Sequence, residues 1–417
     1  MDSFGTRVCI GETHTSPSAT VTLVTLDNSF YDEALLFRIV IIQSGSAEYL
    51  GIVQNVSVET EINRPKVGGS FQDMYPTVLT VRNLLHLGRG SIPSVVRNAP
   101  RPQCKVYLAS EEDLDRFFPV KASESRAFVG RLRDTSYRLP LRSEVLAFAN
   151  TGLIAGIGHG KSHVAAQIVL QLHLAGRKVV IVDPTSEWST LIEAQLEGMQ
   201  SEPASWVSIS SFHYDTNATN KTELETFVKR VSSEFDSKKL TVIDCSLLDY
   251  HGSAEEKIQE RGKLVYALQQ NLMVEASRAY AATKTPYAYN GCIVLEEAHE
   301  FIPSSPEFEI QKKLNLLFSV STKEYRKYGL GLIFIDQSLG AVFAALQVQT
   351  YLLGAPATPG DLEFLRSRLG DNLADAVQRT RREGAVSSWV AYGLATPYPG
   401  IPWEIVSFEN ANEVLSA

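Results

Sequence analysis

Between residues 17 and 108 the apolar positions come in short runs, at 19–26, 35–42, 49–60, 76–81 and 104–109. Turn-prone Ser44-Gly45-Ser46 and Lys66-Val67-Gly68-Gly69-Ser70 separate some of them. Ile52, Val53, Val56 and Val58 sit among polar neighbours in the pattern of a half-buried strand. Several short strands at this spacing predict a small barrel or sandwich. The stretch 110–143 is polar, carries Pro119 and Pro140, and reads as a connection.

The period changes near residue 145. An apolar strand at 151–156 leads into a helix over 161–174, where Val164, Ile168 and Leu172 recur every four residues. Strands of β-branched residues follow at 178–183 and 240–244. Ser253 and Glu256 form a capping box for a long helix with Ile258, Val265, Leu268 and Leu272 on one face. Then come a strand at 292–295, a helix around 307–325 and a strand at 331–336. Strand alternating with helix argues a parallel sheet.

Composition narrows the class. With 44% hydrophobic and 21% charged residues the chain is globular, neither disordered nor fibrous. No apolar run reaches the ~18–20 residues that cross a bilayer, and the first residues lack the pattern of a signal peptide. Cys9, Cys104, Cys245 and Cys292 are scattered, as expected of reduced thiols. A soluble, cytoplasmic protein without membrane contact is therefore expected. The 39 basic and 47 acidic residues leave a net charge of −8, so nucleic-acid contact is confined to a local patch or channel. Arg366, Arg368, Arg379, Arg381 and Arg382 form one basic stretch, suited to DNA, to a neighbouring subunit or to solvent.

Three segments carry chemistry. Ala155-Gly156-Ile157-Gly158-His159-Gly160-Lys161-Ser162 follows a strand and opens a helix, the setting of a phosphate-binding loop. Lys161 would reach the β and γ phosphates of ATP, and the Ser162 hydroxyl would hold Mg²⁺. The strand Cys292–Leu295 delivers Glu296 and Glu297, one carboxylate for the metal and one to orient water. The strand ending at Asp336 delivers Gln337 to the carboxyl edge of the sheet, where an amide can sense the γ-phosphate. Arg326, before that strand, fits an arginine finger or a surface pair with Lys327. His159, His163 and His173 lack the acid-base or zinc logic of an HExxH helix and read as packing residues.

Together these segments resemble the HerA branch of the HerA/FtsK superfamily of ATPases, from about residue 128 to the end. AGIGHGKS is similar to that family's phosphate loop, and VLEEAHEFIP to its acidic strand. Asp183-Pro184-Thr185-Ser186-Glu187-Trp188 resembles its DPHGEY segment, and YRKYGLGLIFIDQS its arginine-plus-glutamine sensor element. The resemblance implies an α/β fold: a RecA-like P-loop ATPase core over 128–417 with a helical insertion at about 214–288. A small N-terminal β-barrel for assembly or docking, with its linker, would occupy 1–127.

Carried over residue by residue, Gly156 to Ser162 would hold ATP, Ser162 and Glu296 the Mg²⁺, and Glu297 would be the catalytic base. Gln337 would be the sensor, Arg326 a finger acting across subunits, and Asp183 and Glu187 supporting acids. The implied activity is a helicase- or translocase-type ATPase forming a hexameric ring with double-stranded DNA in its channel. A partner nuclease or Sir2-type effector, in DNA repair or antiviral defence, completes the expectation. The alternative is a nucleotide-switched oligomeric scaffold that activates an effector without pumping DNA. His159 replaces a small residue of the family's loop, and DPTSEW departs from DPHGEY.

Overall fold

The computed structural model describes residues 7–27, 38–58, 77–88, 92–118, 125–197, 209–214, 221–236, 240–247, 251–343, 346–384 and 386–409, with isolated positions besides. The expected turn Lys66–Ser70 lies outside the described residues. The chain divides into two compact units, residues 1–122 with 133–137, and residues 123–132 with 138–417.

The first unit is a closed barrel. Its strands are β1 (Cys9–Ser18), β2 (Val21–Leu26), β3 (Ile39–Ser44), β4 (Ala47–Val58), β5 (Thr77–Leu87), β6 (Ser94–Val95) and β7 (Lys105–Leu108). They pair in the order β2-β1-β7-β3-β4-β5-β6, and β2 pairs with β5 as well, which closes a cycle of six. Alternate residues point inward: Val24, Val40, Ile42, Val53, Leu79, Val81 and Val106 are all buried. β1 was not expected, because its sequence CIGETHTSPS has little apolar alternation; antiparallel pairing to β2 and β7 holds it in place. Helix α1 (Glu111–Phe117) follows, with Ser110 and Asp113 forming a capping box.

The second unit is built on one large sheet. Its strands are β8 (Arg126–Leu132), β9 (Arg138–Arg142), β10 (Thr151–Ile154), β11 (Lys178–Asp183), β12 (Ile209–His213), β13 (Leu240–Asp244), β14 (Gly291–Leu295), β15 (Leu330–Asp336), β16 (Thr350–Leu353), β17 (Arg382–Glu383), β18 (Val386–Gly393) and β19 (Trp403–Ser407). The order β12-β13-β11-β14-β15-β10-β16 is parallel throughout. It continues through antiparallel β18, β19, β8 and β9, with β17 attached to β18. The stretch 110–143 is thus more than a connection: it supplies α1 and two strands. Pro140 is tolerated because β9 ends the sheet and leaves one side of its backbone unpaired.

The helices are α2 (Ser143–Phe148), α3 (Lys161–Leu174), α4 (Trp188–Glu197), α5 (Lys221–Asp236), α6 (Ala254–Thr283), α7 (Glu309–Glu324), α8 (Pro359–Leu369) and α9 (Asp371–Gln378). Helices α5 and α6 fall in the segment expected as an insertion, with core strand β13 between them. The central strands are buried along their whole length, and Leu264, Leu268 and Leu272 of α6 and Leu314 and Phe318 of α7 complete that core. This unit has the expected α/β architecture, a parallel sheet whose strands alternate with helices along the chain. Among the described residues no helix is long and apolar enough to cross a membrane.

Candidate nucleotide-binding and hydrolysis site

Sheet order decides what can meet. Because β11, β14, β15 and β10 are adjacent and parallel, the turns after all four emerge side by side at the carboxyl edge. In register, Ile154 is opposite Asp336 and Leu295 opposite Phe334, so the phosphate loop, Gln337 and the two glutamates leave the sheet at one level.

The loop after β10 turns through left-handed backbone at Gly158 (φ 76°) and Gly160 (φ 82°), conformations that side chains disfavour. Helix α3 starts at Lys161, so the unpaired N–H groups of its first turn and the positive end of its dipole face the loop. Ile157 at the loop tip is 86% exposed. Lys161 Nζ lies 3.4 Å from the Gly156 carbonyl. Burial pulls its pKa down, opposed by the carboxylates of Glu297, Asp336 and Glu296.

His159 points away from the loop into the core. Its Nε2 lies 2.9 Å from the Ser388 carbonyl and 3.3 Å from the Ala355 N–H. The ring packs edge-on against Trp389 at 5.0 Å, and burial lowers its pKa. Space for it exists because position 354 is glycine: a Cβ there would sit 2.2 Å from the imidazole. His163 is likewise a packing residue, against Phe408 O, Gln167 and Gln195.

The Ser162 hydroxyl donates to Glu296 Oε1 at 2.9 Å, joining the loop to the acidic strand. Glu296 is 5% exposed, and its buried Oε2 makes no hydrogen bond among the described residues. Burial pushes this carboxyl up to about 7; the Ser162 hydrogen bond opposes that, and the charges of Asp183, Glu297 and Glu187 add to it. A hard dication meets these needs, since it takes oxygen ligands and neutralises a buried carboxylate. Ser162 and Glu296 thus have the chemistry to hold Mg²⁺.

Glu297 is in left-handed backbone (φ 48°, ψ 53°), a conformation uncommon for a residue with a side chain. Gln337 Nε2 donates to its carboxylate at 3.2 and 3.3 Å. Asp336 organises the same corner. Its Oδ2 accepts the His299 backbone N–H at 2.7 Å and Nδ1–H at 3.0 Å, while Oδ1 accepts from Gln337 N and Ser338 N. His299 also stands 3.4 Å from Glu297 and is held above its usual pKa, first by the Asp336 hydrogen bond. Glu297, His299 and Asp336 are close enough to share a cation, yet both Asp336 oxygens already accept two N–H groups each. From the sequence His299 reads as orienting the end of the acidic strand and Asp336 has no role in the chemistry; the one available signal for Asp336 was an acid ending an otherwise apolar strand.

Two expected residues act differently from nucleotide ligands. Asp183 is buried, with its carboxylate closing the turn that follows β11: Oδ1 accepts from Thr185 N, Thr185 Oγ1 and Ser186 N, and Oδ2 from Trp188 N. Glu187 is exposed on that turn. Buried Arg261 of α6 fixes the turn from behind, donating to the carbonyls of Pro184, Cys245 and Ser246 and to Glu300. Arg326 lies outside the group altogether. It belongs to a 3₁₀ turn, Tyr325–Tyr328, at the amino end of β15, where it bonds Gln349. Seven residues of strand at ~3.3 Å each put it on the order of 20 Å from the carboxyl edge.

In the expected basic stretch, Arg366 and Arg368 are exposed on α8, and Arg366 reaches Asp375 and Gln378. Arg379 pairs with Glu404, Arg381 caps the carbonyls of Gln378 and Thr380, and Arg382 donates to the Gly158 carbonyl of the loop.

No family model matches the sequence, and no curated protein matches it. Among solved structures, the chain resembles the genome packaging NTPase B204 from Sulfolobus turreted icosahedral virus 2, in complex with ATP-gammaS, at 13% identity and a TM-score of 0.35, over 62% of this chain and 96% of that one. It also resembles the pCW3 conjugation coupling protein TcpA (11%, TM-score 0.40, 88% and 87%). A third is VirB4 of Thermoanaerobacter pseudethanolicus (12%, TM-score 0.41, 69% and 96%).

Proposed function

We propose that this chain is a Mg²⁺-dependent ATP hydrolase of the DNA-translocase type. One observation supports this most: the buried Glu296 carboxylate accepts the Ser162 hydroxyl of a glycine loop through Oε1 and leaves Oε2 without a partner among the described residues, where Mg²⁺ on a bound triphosphate would be held. Lys161 neutralises phosphate charge, Glu297 accepts the proton of the attacking water, and Gln337 couples the γ-phosphate position to Glu297. The chain works as a hexameric ring around duplex DNA, beside a nuclease or another effector in repair or defence, with the barrel as its docking module. Asp183 and Glu187 support the acidic corner from the neighbouring turn.

Binding and hydrolysis should separate. Lys161→Ala should weaken ATP binding, while Glu297→Gln should bind ATP and turn it over far more slowly, by roughly 10²-fold or more. Nucleotide affinity and turnover measured on both variants check this; equal turnover of Glu297→Gln and the parent removes the base assignment. Duplex DNA should raise turnover of the parent. The net charge of −8 favours the scaffold reading as the second choice, and indifference of turnover to DNA would select it.

A further inference from the structure

The short strand β17 and strand β18 form a hairpin that holds the phosphate loop at two points. From one side Nε2 of His159 in the loop stands 2.9 Å from the Ser388 carbonyl in β18. From the other, Arg382 in β17 donates through Nη1 to the carbonyl of Gly158. Ser388 ties the two contacts together, because its N–H and hydroxyl both bond the Arg381 carbonyl. Tandem arginines thus have different fates. Arg381 is spent on the end of α9, at 2.9 and 2.8 Å from two carbonyls. Arg382 is exposed, and among the described residues it reaches, besides Gly158, Gly384 O through Nε at 3.2 Å. Three of its five N–H donors have no partner among the described residues.

We propose that Arg382 binds the polyphosphate of a nucleoside triphosphate held in the loop of its own subunit, with Gly158 O as its resting partner. This rests on the nucleotide reading above and adds to it a phosphate ligand from the C-terminal hairpin. The guanidinium already touches the outer side of the loop whose inner side would cradle phosphate. Its Nη1 lies 3.6 Å from the position of a Cβ on Gly158, so a shift of a few ångströms brings it to the loop rim. A neutral carbonyl holds a guanidinium less strongly than an anionic phosphate oxygen does, and the planar fork fits two such oxygens. Arriving phosphate therefore draws Arg382 off Gly158, while the His159–Ser388 bond keeps the hairpin in place.

The test uses the full chain, with a non-hydrolysable ATP analogue, ADP and AMP as probes in calorimetric titrations. Arg382→Ala should weaken the triphosphate roughly tenfold or more, ADP less and AMP least; Arg382→Lys should recover part of the loss. An unchanged thermal midpoint in Arg382→Lys guards against misfolding. Uniform weakening across the three nucleotides would reduce Arg382 to a brace for the loop and overturn the proposal, as would no weakening at all. Lys161→Ala separates this from failure of the parent reading. If the parent binds no triphosphate in a Lys161-dependent way, both fall. If it does, and Arg382→Ala binds all three as the parent does, only this proposal falls.

Discussion

A Cβ on Gly354 would lie 2.2 Å from the His159 ring, so these two residues, 195 positions apart in sequence, form one packing unit. A bulky residue in the phosphate loop is accommodated by the end of β16, leaving the loop's inner face to its glycines. Gly354→Ala should destabilise the protein by about 1–3 kcal/mol through overpacking. The same change in a His159→Ala background should cost less, since the ring is gone and the Ala155 Cβ at 2.7 Å is the close contact left. Denaturant midpoints for the four proteins of this cycle measure the coupling; equal costs in both backgrounds would contradict it. At this scale sequence was informative where the signal was local. Lys161, Ser162, Glu296, Glu297 and Gln337 each follow a strand within a few residues. The Asp336–His299 contact was not legible, because it depends on the pairing of β14 with β15 and joins residues 37 positions apart. Nor was the turn-closing geometry of Asp183, which depends on where backbone N–H groups point.

Helix α6 was readable from its first turn: Ser253 Oγ accepts the Glu256 N–H at 3.2 Å and the Glu256 carboxylate accepts the Ser253 N–H at 2.8 Å. Ser253→Ala should cost about 1 kcal/mol. Amide hydrogen exchange should speed up in the first turn of α6 and remain as in the parent around Leu268; protection unchanged at residues 254–257 would deny the cap its role. Strands buried all round, such as β11 and β13, are continuous apolar runs and are found from sequence with little error. Strands β1, β8 and β9 are different. Their residues are polar or arginine-rich, and they gain their place from hydrogen bonds to strands distant in sequence: β8 pairs with β19, more than 270 positions away. The antiparallel extension of the sheet was missed for that reason, and with it the hairpin that reaches the phosphate loop.

For the whole molecule, the position of Arg326 decides which copy's nucleotide it could serve. It lies at the amino end of the sheet, on the order of 20 Å from its own loop, so it meets a nucleotide only if that nucleotide belongs to another copy. Arg326→Ala should keep ATP binding and lose turnover by ~10³-fold. Mixed with Lys161→Ala after subunit exchange, it should regain activity, because some interfaces then combine an intact loop with an intact arginine. ATP turnover across mixing ratios checks this, and a mixture no more active than either variant would assign Arg326 to the surface.

The β2–β5 pairing has a consequence of its own. Within the cycle of six each strand has a neighbour on both sides, so among the described strands of this unit only the two-residue β6 leaves an edge for an incoming strand to extend. A partner that docks on the wall of the cycle therefore reads its side chains rather than its backbone. Outward-facing side chains can be exchanged without loosening that hydrogen-bonded wall, so the same cylinder can be given a new binding face.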